Sequence, residues 1–314
     1  MTRRTELSKV IRLHNEGGEM SQAQSTTGVP ALHSSRRRMG MTERLRGLGG
    51  ARATLQMAAR AARAQAQEAA LLLSVATMAP IRLVRGDYRS ANRVSLLPTS
   101  DAASARPVLL VHGFAGATSS WSLVAQALSA RGLSVDTMTY APVGNSVEQL
   151  ADRLVAEVKG ALARNGADKV HLVGHSLGGV IIAQAISDPR LQGRVDTVIT
   201  LGSPFGGSPW AGVLPIVEIS RALRPGSALL RRLACMPLPD GVRWLSVTAA
   251  LDIVVPGLRS VPSYAQVETI TINGVGHLGM LLSRRVVGCI TAALCADGAA
   301  MAAEPAMRQL PKAA

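Results

Sequence analysis

The sequence predicts an α/β protein, a mostly parallel sheet covered by helices on both faces. After Arg106, short apolar runs alternate with amphipathic stretches, as in chains built from successive strand-helix units. Strand and helix alternating in this way implies a sheet covered on both faces. The chain is also large enough for one substantial core, with 314 residues of which 47% are apolar and 17% charged. Residues 108–111, 133–139, 170–173, 195–201, 244–248 and 267–272 read as strands, and 119–130, 147–163, 177–186 and 278–294 as helices. The second helix opens with Ser146 and Gln149 at capping-box spacing, and its apolar residues keep one face. In such sheets ligands sit beyond the carboxyl ends of the strands, so chemistry is to be sought in those loops.

Composition excludes several classes. The 30 glycines and 16 prolines show no collagen-like or solenoid period. Cys235, Cys289 and Cys295 are too few for a disulfide scaffold and form no CxxC pair. The net charge of +14 is concentrated early: residues 1–106 hold 17 Lys and Arg against 7 Asp and Glu, and the remainder 17 against 13. A basic segment meets nucleic acid or anionic lipid. Nucleic-acid modules interleave aromatics for stacking, and the first hundred residues contain one, Tyr88, so no nucleic-acid partner is expected and lipid or solubility is favoured.

Residues 1–41 read as a disordered basic tail, with the Arg36, Arg37, Arg38 run. Residues 42–80 read as an Ala-rich basic helical segment, broken near Gly47–Gly50 and stopped by Pro80, with an apolar end at Leu71, Leu72, Leu73 and Val75 suited to a membrane surface. No stretch reads as a spanning helix of about 20 apolar residues. Residues 81–298 then form the α/β domain, and 299–314 a flexible tail. The expected location is cytoplasmic or peripheral to a membrane, with secretion if translation starts internally at Met57.

The chemistry centres on Lys169-Val-His-Leu-Val-Gly174-His175-Ser176-Leu177-Gly178-Gly179, a GxSxG string. The bare string is common. Its context is not, because it lies between an apolar strand and an apolar helix, where small residues two before and two after the serine permit a sharp, strained turn. A serine hydroxyl needs a base, usually a histidine held by a carboxylate, and on such a fold the chain order is Ser, acid, His. His277 is the only histidine after Ser176. Of the six acids between them, Asp188, Asp196, Glu218, Asp240, Asp252 and Glu268, only Asp252 directly follows an apolar strand; Asp240 precedes that strand and is the rival. The oxyanion of acyl transfer needs two backbone donors. The amides of Leu177 and of Phe114, in Val108-Leu-Leu-Val-His112-Gly113-Phe114, are the candidates. His112 and His175 flank the site with no third ligand beside them, so they read as structural and no metal or cofactor is called for.

Together, Val111-His-Gly-Phe114, the Ser176 string, Leu201-Gly-Ser-Pro-Phe-Gly-Gly-Ser208, Leu251-Asp252-Ile-Val-Val-Pro256 and Gly276-His277-Leu278 make residues 107–294 resemble an α/β-hydrolase, and more narrowly the small bacterial lipases and esterases. That resemblance implies the α/β-hydrolase fold, a Ser176, Asp252, His277 triad and a role in lipid metabolism. Those lipases usually show Thr-Pro-His where this chain has Ser203-Pro204-Phe205. The paired aspartates that hold calcium in some of them are missing between Asp252 and His277, so calcium is not carried over.

Only eight aromatics exist, yet Phe114, Trp121, Phe205 and Trp210 fall in or near the expected active-site loops, and the last three are the candidate substrate-binding residues. Residues 206–240 form an excursion read as a small lid. The expected function is hydrolysis of apolar or lipid-like carboxylic esters through an acyl-enzyme on Ser176. An acyltransferase or thioesterase is the alternative, and a non-catalytic hydrolase-like binding protein, which would have lost a triad member, the more distant one.

Overall fold

Five of the six expected runs become strands buried on both faces, and the sixth, residues 267–272, forms a largely exposed strand at the sheet edge. A computed structural model describes residues 41–85, 95–96, 106–141, 143–212 and 217–295. In chain order the strands are β1 (Ser95–Leu96), β2 (Val108–Val111), β3 (Val135–Met138), β4 (Val170–His175), β5 (Val195–Leu201), β6 (Arg243–Ala249) and β7 (Val267–Ile272). They form one sheet in the order β1-β3-β2-β4-β5-β6-β7. The short β1, absent from the sequence expectation, pairs antiparallel with β3; every other pairing is parallel. Successive side chains point to opposite faces of a strand, and the two cores follow that alternation. Leu109, Val111, Leu172, Val198 and Trp244 join one cluster. Val108, Leu110, Val173, Ile199 and Leu245 join the other.

Helices α3 (Val147–Asn165) and α4 (Leu177–Ala185) cover the first face, and α2 (Ser122–Ser129) and α7 (Arg284–Cys295) the second. The capping box of α3 forms as expected: Gln149 N–H donates to Ser146 Oγ, and Ser146 N–H to the Gln149 side chain. Gly166 ends the helix in the left-handed region, and eight buried residues from Val147 to Leu162 seat it on the sheet. Two expected helices are each divided. Residues 119–130 split into a 3-10 turn, Thr118–Trp121, and α2; residues 278–294 split into a 3-10 turn, Leu278–Leu282, and α7. The second break has a cause in Ser283, whose carbonyl and hydroxyl take the Val287 and Val286 amides and so start α7 afresh.

The excursion read as a lid carries α5 (Val217–Ala222) and α6 (Ala228–Cys235). Leu229, Leu230 and Leu233 of α6 are buried in the first core cluster, and Ser227 caps the helix. All three cysteines are free.

Contacts divide the chain at Gly50. Of the first unit only 41–50 is described, and it is helical. The tail expected over 1–41 otherwise lies outside the described residues, as does the expected tail over 299–314. Helix α1 (Met41–Arg85) corrects two expectations, since it runs unbroken through Gly47–Gly50 and past Pro80. The boundary drawn at residues 80 and 81 therefore cuts a helix. Proline forfeits one backbone hydrogen bond and strains the preceding turn, a cost that the Ala-rich run before it and the continuing turn after it outweigh. Among the described residues, no helix is long and apolar enough to cross a membrane.

Candidate active site

The parallel register brings four strand ends to one edge. Val111 lies opposite Gly174, His175 opposite Leu201, and Leu201 opposite Val247. His112, Ser176 and Gly202 directly follow their strands at this edge, and Asp252 lies three residues past Ala249, in a turn closed by its amide donating to the Ala249 carbonyl.

Ser176 sits at φ 52 and ψ −122 between β4 and α4, one of two described non-glycine residues at positive φ. Such strain persists only where the surroundings hold it. They do so by close approach: a Cβ on Gly174 would lie 2.6 Å from Gly179 N, and one on Gly178 2.2 Å from the Val111 carbonyl oxygen. The flanking glycines thus let the first turn of α4 press against the ends of β2 and β4. Leu177 is the first residue of that helix, so its amide has no intrahelical acceptor. The other positive-φ residue is Ala115, in the turn closed by Gly116 N–H donating to Gly113 O at 3.1 Å. This puts Phe114, the second donor candidate, at the first corner of a strained turn whose second corner usually belongs to glycine.

Asp252 and His277 meet directly. His277 Nδ1 donates to Asp252 Oδ2 at 2.8 Å, with both side chains buried. The other carboxylate oxygen accepts the amides of Val254 at 2.9 Å and Val255 at 2.7 Å, which fixes the direction of the carboxylate. The bond at Nδ1 leaves Nε2 as the ring nitrogen for proton transfer. Asp240 stands exposed in the turn before β6, at the opposite edge.

His175 and His112 serve this geometry from beneath. The His175 ring lies 4.8 Å from that of His277, and its Nε2 donates to the His277 carbonyl at 3.0 Å. Burial, reinforced by the charge that His277 can carry, lowers the His175 pKa to about 3. Burial likewise brings His112 to about 4. His112 stacks on Tyr140 at 4.1 Å, donates through Nδ1 to Gly113 O, and accepts at its own carbonyl the Tyr140 hydroxyl. Both histidines are neutral hydrogen-bonding spacers.

The three candidate substrate aromatics fare differently. Trp121 is 1% exposed within the second core cluster, where it fills space under α2, so its place is the core rather than a pocket wall. Phe205 is partly buried and meets Trp244 edge-on at 5.9 Å. Trp210 is 49% exposed and donates through Nε1 to Ile253 O at 2.8 Å, which ties it to the acid loop. Sequence reasoning missed one buried group altogether: Glu68 of α1, 2% exposed, accepts the amides of Leu278 and Gly279 next to His277.

The family described as "alpha/beta hydrolase fold" matches residues 106–251. With the strand order and the elbow serine, that decides the architecture. The chain has the α/β-hydrolase fold. Solved structures agree on this hydrolase fold: a mature-form lipase of Bacillus licheniformis superposes with a TM-score of 0.54 at 16% identity, covering 65% of this chain and 96% of that one. Aspergillus fumigatus lipase B gives 0.52 at 17% identity, covering 64% and 55%. Among curated relatives, a triacylglycerol lipase of Burkholderia plantarii is 30% identical over 161 residues, 48% of this chain and 44% of the relative. One from Vibrio cholerae is 33% identical over 130 residues, 38% and 40% of the two chains. The matches thus span less than half the length of these relatives.

Proposed function

We propose that this α/β-hydrolase cleaves carboxylic esters of apolar or lipid-like substrates through an acyl-enzyme on Ser176. The observation that carries the reading is the buried 2.8 Å contact between Asp252 and His277, at the sheet edge where Ser176 sits on its elbow. In this mechanism His277 Nε2 takes the Ser176 proton as Oγ attacks the ester carbonyl carbon. The oxyanion of the tetrahedral intermediate falls to the amides of Leu177 and Phe114, each typically worth about 3 to 4 kcal/mol. Collapse expels the alcohol, which receives the proton from His277. Water activated by the same ring then releases the acid and regenerates Ser176. Asp252 holds the Nδ1–H tautomer and stabilises the imidazolium without itself taking the proton. The lipase names of the curated relatives support esters as the substrate class, and the exposed Trp210, tied to the loop of Asp252, supplies apolar surface near the acid.

A fluorophosphonate probe should label wild-type protein, and a chain-length series of p-nitrophenyl esters beside a triglyceride emulsion should show turnover. Ser176→Ala should lose the label and at least about 10⁴ of kcat. Labelling that persists undiminished in Ser176→Ala would overturn the assignment. Acyl transfer to an added alcohol or thiol in preference to water would indicate the acyltransferase alternative.

The partner we infer for α1 is an anionic membrane surface. Leu55, Leu73 and Val84 are 70%, 65% and 89% exposed. They are spaced by close to five and three whole turns at 3.6 residues per turn, so they share one stripe. Arg60, Arg63 and Arg85 are exposed on the same helix, and each basic group near anionic lipid contributes roughly 1 kcal/mol, screened by salt. The full chain should co-sediment with phosphatidylglycerol vesicles more than with phosphatidylcholine, and a Leu73→Ser, Val84→Ser variant should lose binding while keeping soluble-ester turnover. Equal, salt-insensitive recovery with both vesicle types would count against it.

A further inference from the structure

Helix α1 lies outside the matched residues 106–251, yet it reaches the catalytic loop through one side chain. Among the described side chains of α1, Glu68 alone is buried, among exposed neighbours Gln67 and Ala69. A lone buried carboxylate on a surface helix is costly unless hydrogen bonds to the charged form compensate. Here they do: Leu278 N–H donates to Oε1 at 2.7 Å and Gly279 N–H to Oε2 at 3.1 Å. The loop is shaped around this carboxylate, since a Cβ on Gly276 would lie 2.5 Å from Glu68 Oε2. The glycine before His277 is therefore a seat for Glu68. The backbone of His277 is gripped from both sides, its carbonyl by His175 Nε2 and the two following amides by Glu68. Farther along the same helix, Arg82 reaches the Ala115 carbonyl at 3.4 Å, in the turn that carries Phe114.

We propose that Glu68 is a positioning residue for catalysis: by holding the Leu278 and Gly279 amides it keeps the His277 ring on the line between Asp252 and the reacting serine. This rests on the reading of His277 as the general base. Glu68 touches no reacting atom. Its effect comes through the placement of His277, and it makes α1 part of the working hydrolase rather than an appendage. A displacement of about 1 Å at a catalytic group costs on the order of 100-fold in rate, so removing the brace is expected to act on kcat and leave KM alone.

The test uses the full chain with p-nitrophenyl butyrate, and all rates are normalised to the sites labelled by a fluorophosphonate probe. Glu68→Ala should lower kcat about 10- to 100-fold, with KM within twofold of wild type. Added formate, a carboxylate small enough for the vacated seat, should raise kcat of Glu68→Ala and leave wild type unchanged. Glu68→Gln, which keeps the shape and one acceptor, should fall between the two, and Gln67→Ala should match wild type. Gly276→Ala should reproduce the loss by evicting the carboxylate, and combining it with Glu68→Ala should add little more. Normalised kcat within twofold of wild type in both Glu68→Ala and Glu68→Gln would overturn the proposal. So would a loss confined to KM, or one that formate fails to relieve while the two single losses multiply. Wild-type protein with neither label nor turnover would instead bring down the hydrolase reading, so the two failures are distinguishable.

Discussion

Two loops meet at His277, and in each a pair of backbone amides converges on a carboxylate, but they are assembled in opposite ways. In the acid loop Asp252 binds the amides of Val254 and Val255, two and three residues ahead of it. That turn closes on itself, as Asp side chains commonly do. In the histidine loop the amides of Leu278 and Gly279 go to Glu68, which stands 210 residues before Leu278. Such an arrangement exists only when a remote helix has docked. The ring of His277 is aimed by a local turn, whereas its backbone is anchored by a distant one. Local order is robust and readable; distant order is conditional.

The largest expected effect tests the local half. Asp252→Asn should lower kcat on the scale of about 10⁴, with circular dichroism unchanged, because Asn keeps an acceptor for the two amides but stabilises the wrong imidazole tautomer. Asp240→Asn, in its exposed turn, should stay within twofold, and a greater loss there would reassign the acid.

A smaller effect is expected where the two loops touch. Gly202 has φ +55, and a Cβ on it would lie 2.9 Å from Asp252 Oδ2 and 3.1 Å from His277 Nδ1. Gly202→Ala should cost on the order of 100-fold in kcat/KM through displacement of the pair. It should also cost about 1 to 3 kcal/mol in urea unfolding, through overpacking and strain. Unchanged kinetics in a destabilised variant would separate packing at this contact from alignment of the pair.

The smallest effect is on acid stability. His175 and His112 have folded pKa values of about 3 and about 4, against an ordinary value of 6.5. Both are depressed, so the unfolded chain takes up protons first as pH falls. Their contribution is complete above about pH 6.5 and is lost progressively toward pH 3. Thermal midpoints should therefore decline from pH 7 to pH 4, and a His175→Asn variant should decline less steeply. An equal slope would show that other groups govern the acid limb.

The same contrast explains how much could be read from the chain. All six expected strands form: the five interior ones are buried on both faces and leave apolar-rich runs in the sequence, whereas the exposed edge strand over 267–272 was legible from its β-branched residues Val267, Thr269, Ile270, Thr271 and Ile272. The elbow was legible because close packing at Ser176 admits only small neighbours. Asp252 was legible because its place depends on the strand before it. Trp121 misled, since proximity in sequence to an active-site loop does not distinguish a pocket wall from a core filler, and the ring turned inward under α2. Pro80 misled because a long helix tolerates the loss of one hydrogen bond. Glu68 left no signal. Amid alanines and glutamines a single acid reads as a solvated residue, and its partners are main-chain amides, which have no letter of their own.

The separation between Glu68 and Leu278 also has a meaning in time. A ribosome adding about 5 to 20 residues per second takes roughly 10 to 40 s to make the 210 residues between them. During that interval the carboxylate lacks its two amides, and for about the second half of it the serine elbow stands without its histidine. On the proposed reading, competence to attack esters therefore arrives only after His277 and the two amides beyond it have been made and α1 has joined them. Until then the order in which these parts are born keeps the proposed chemistry silent.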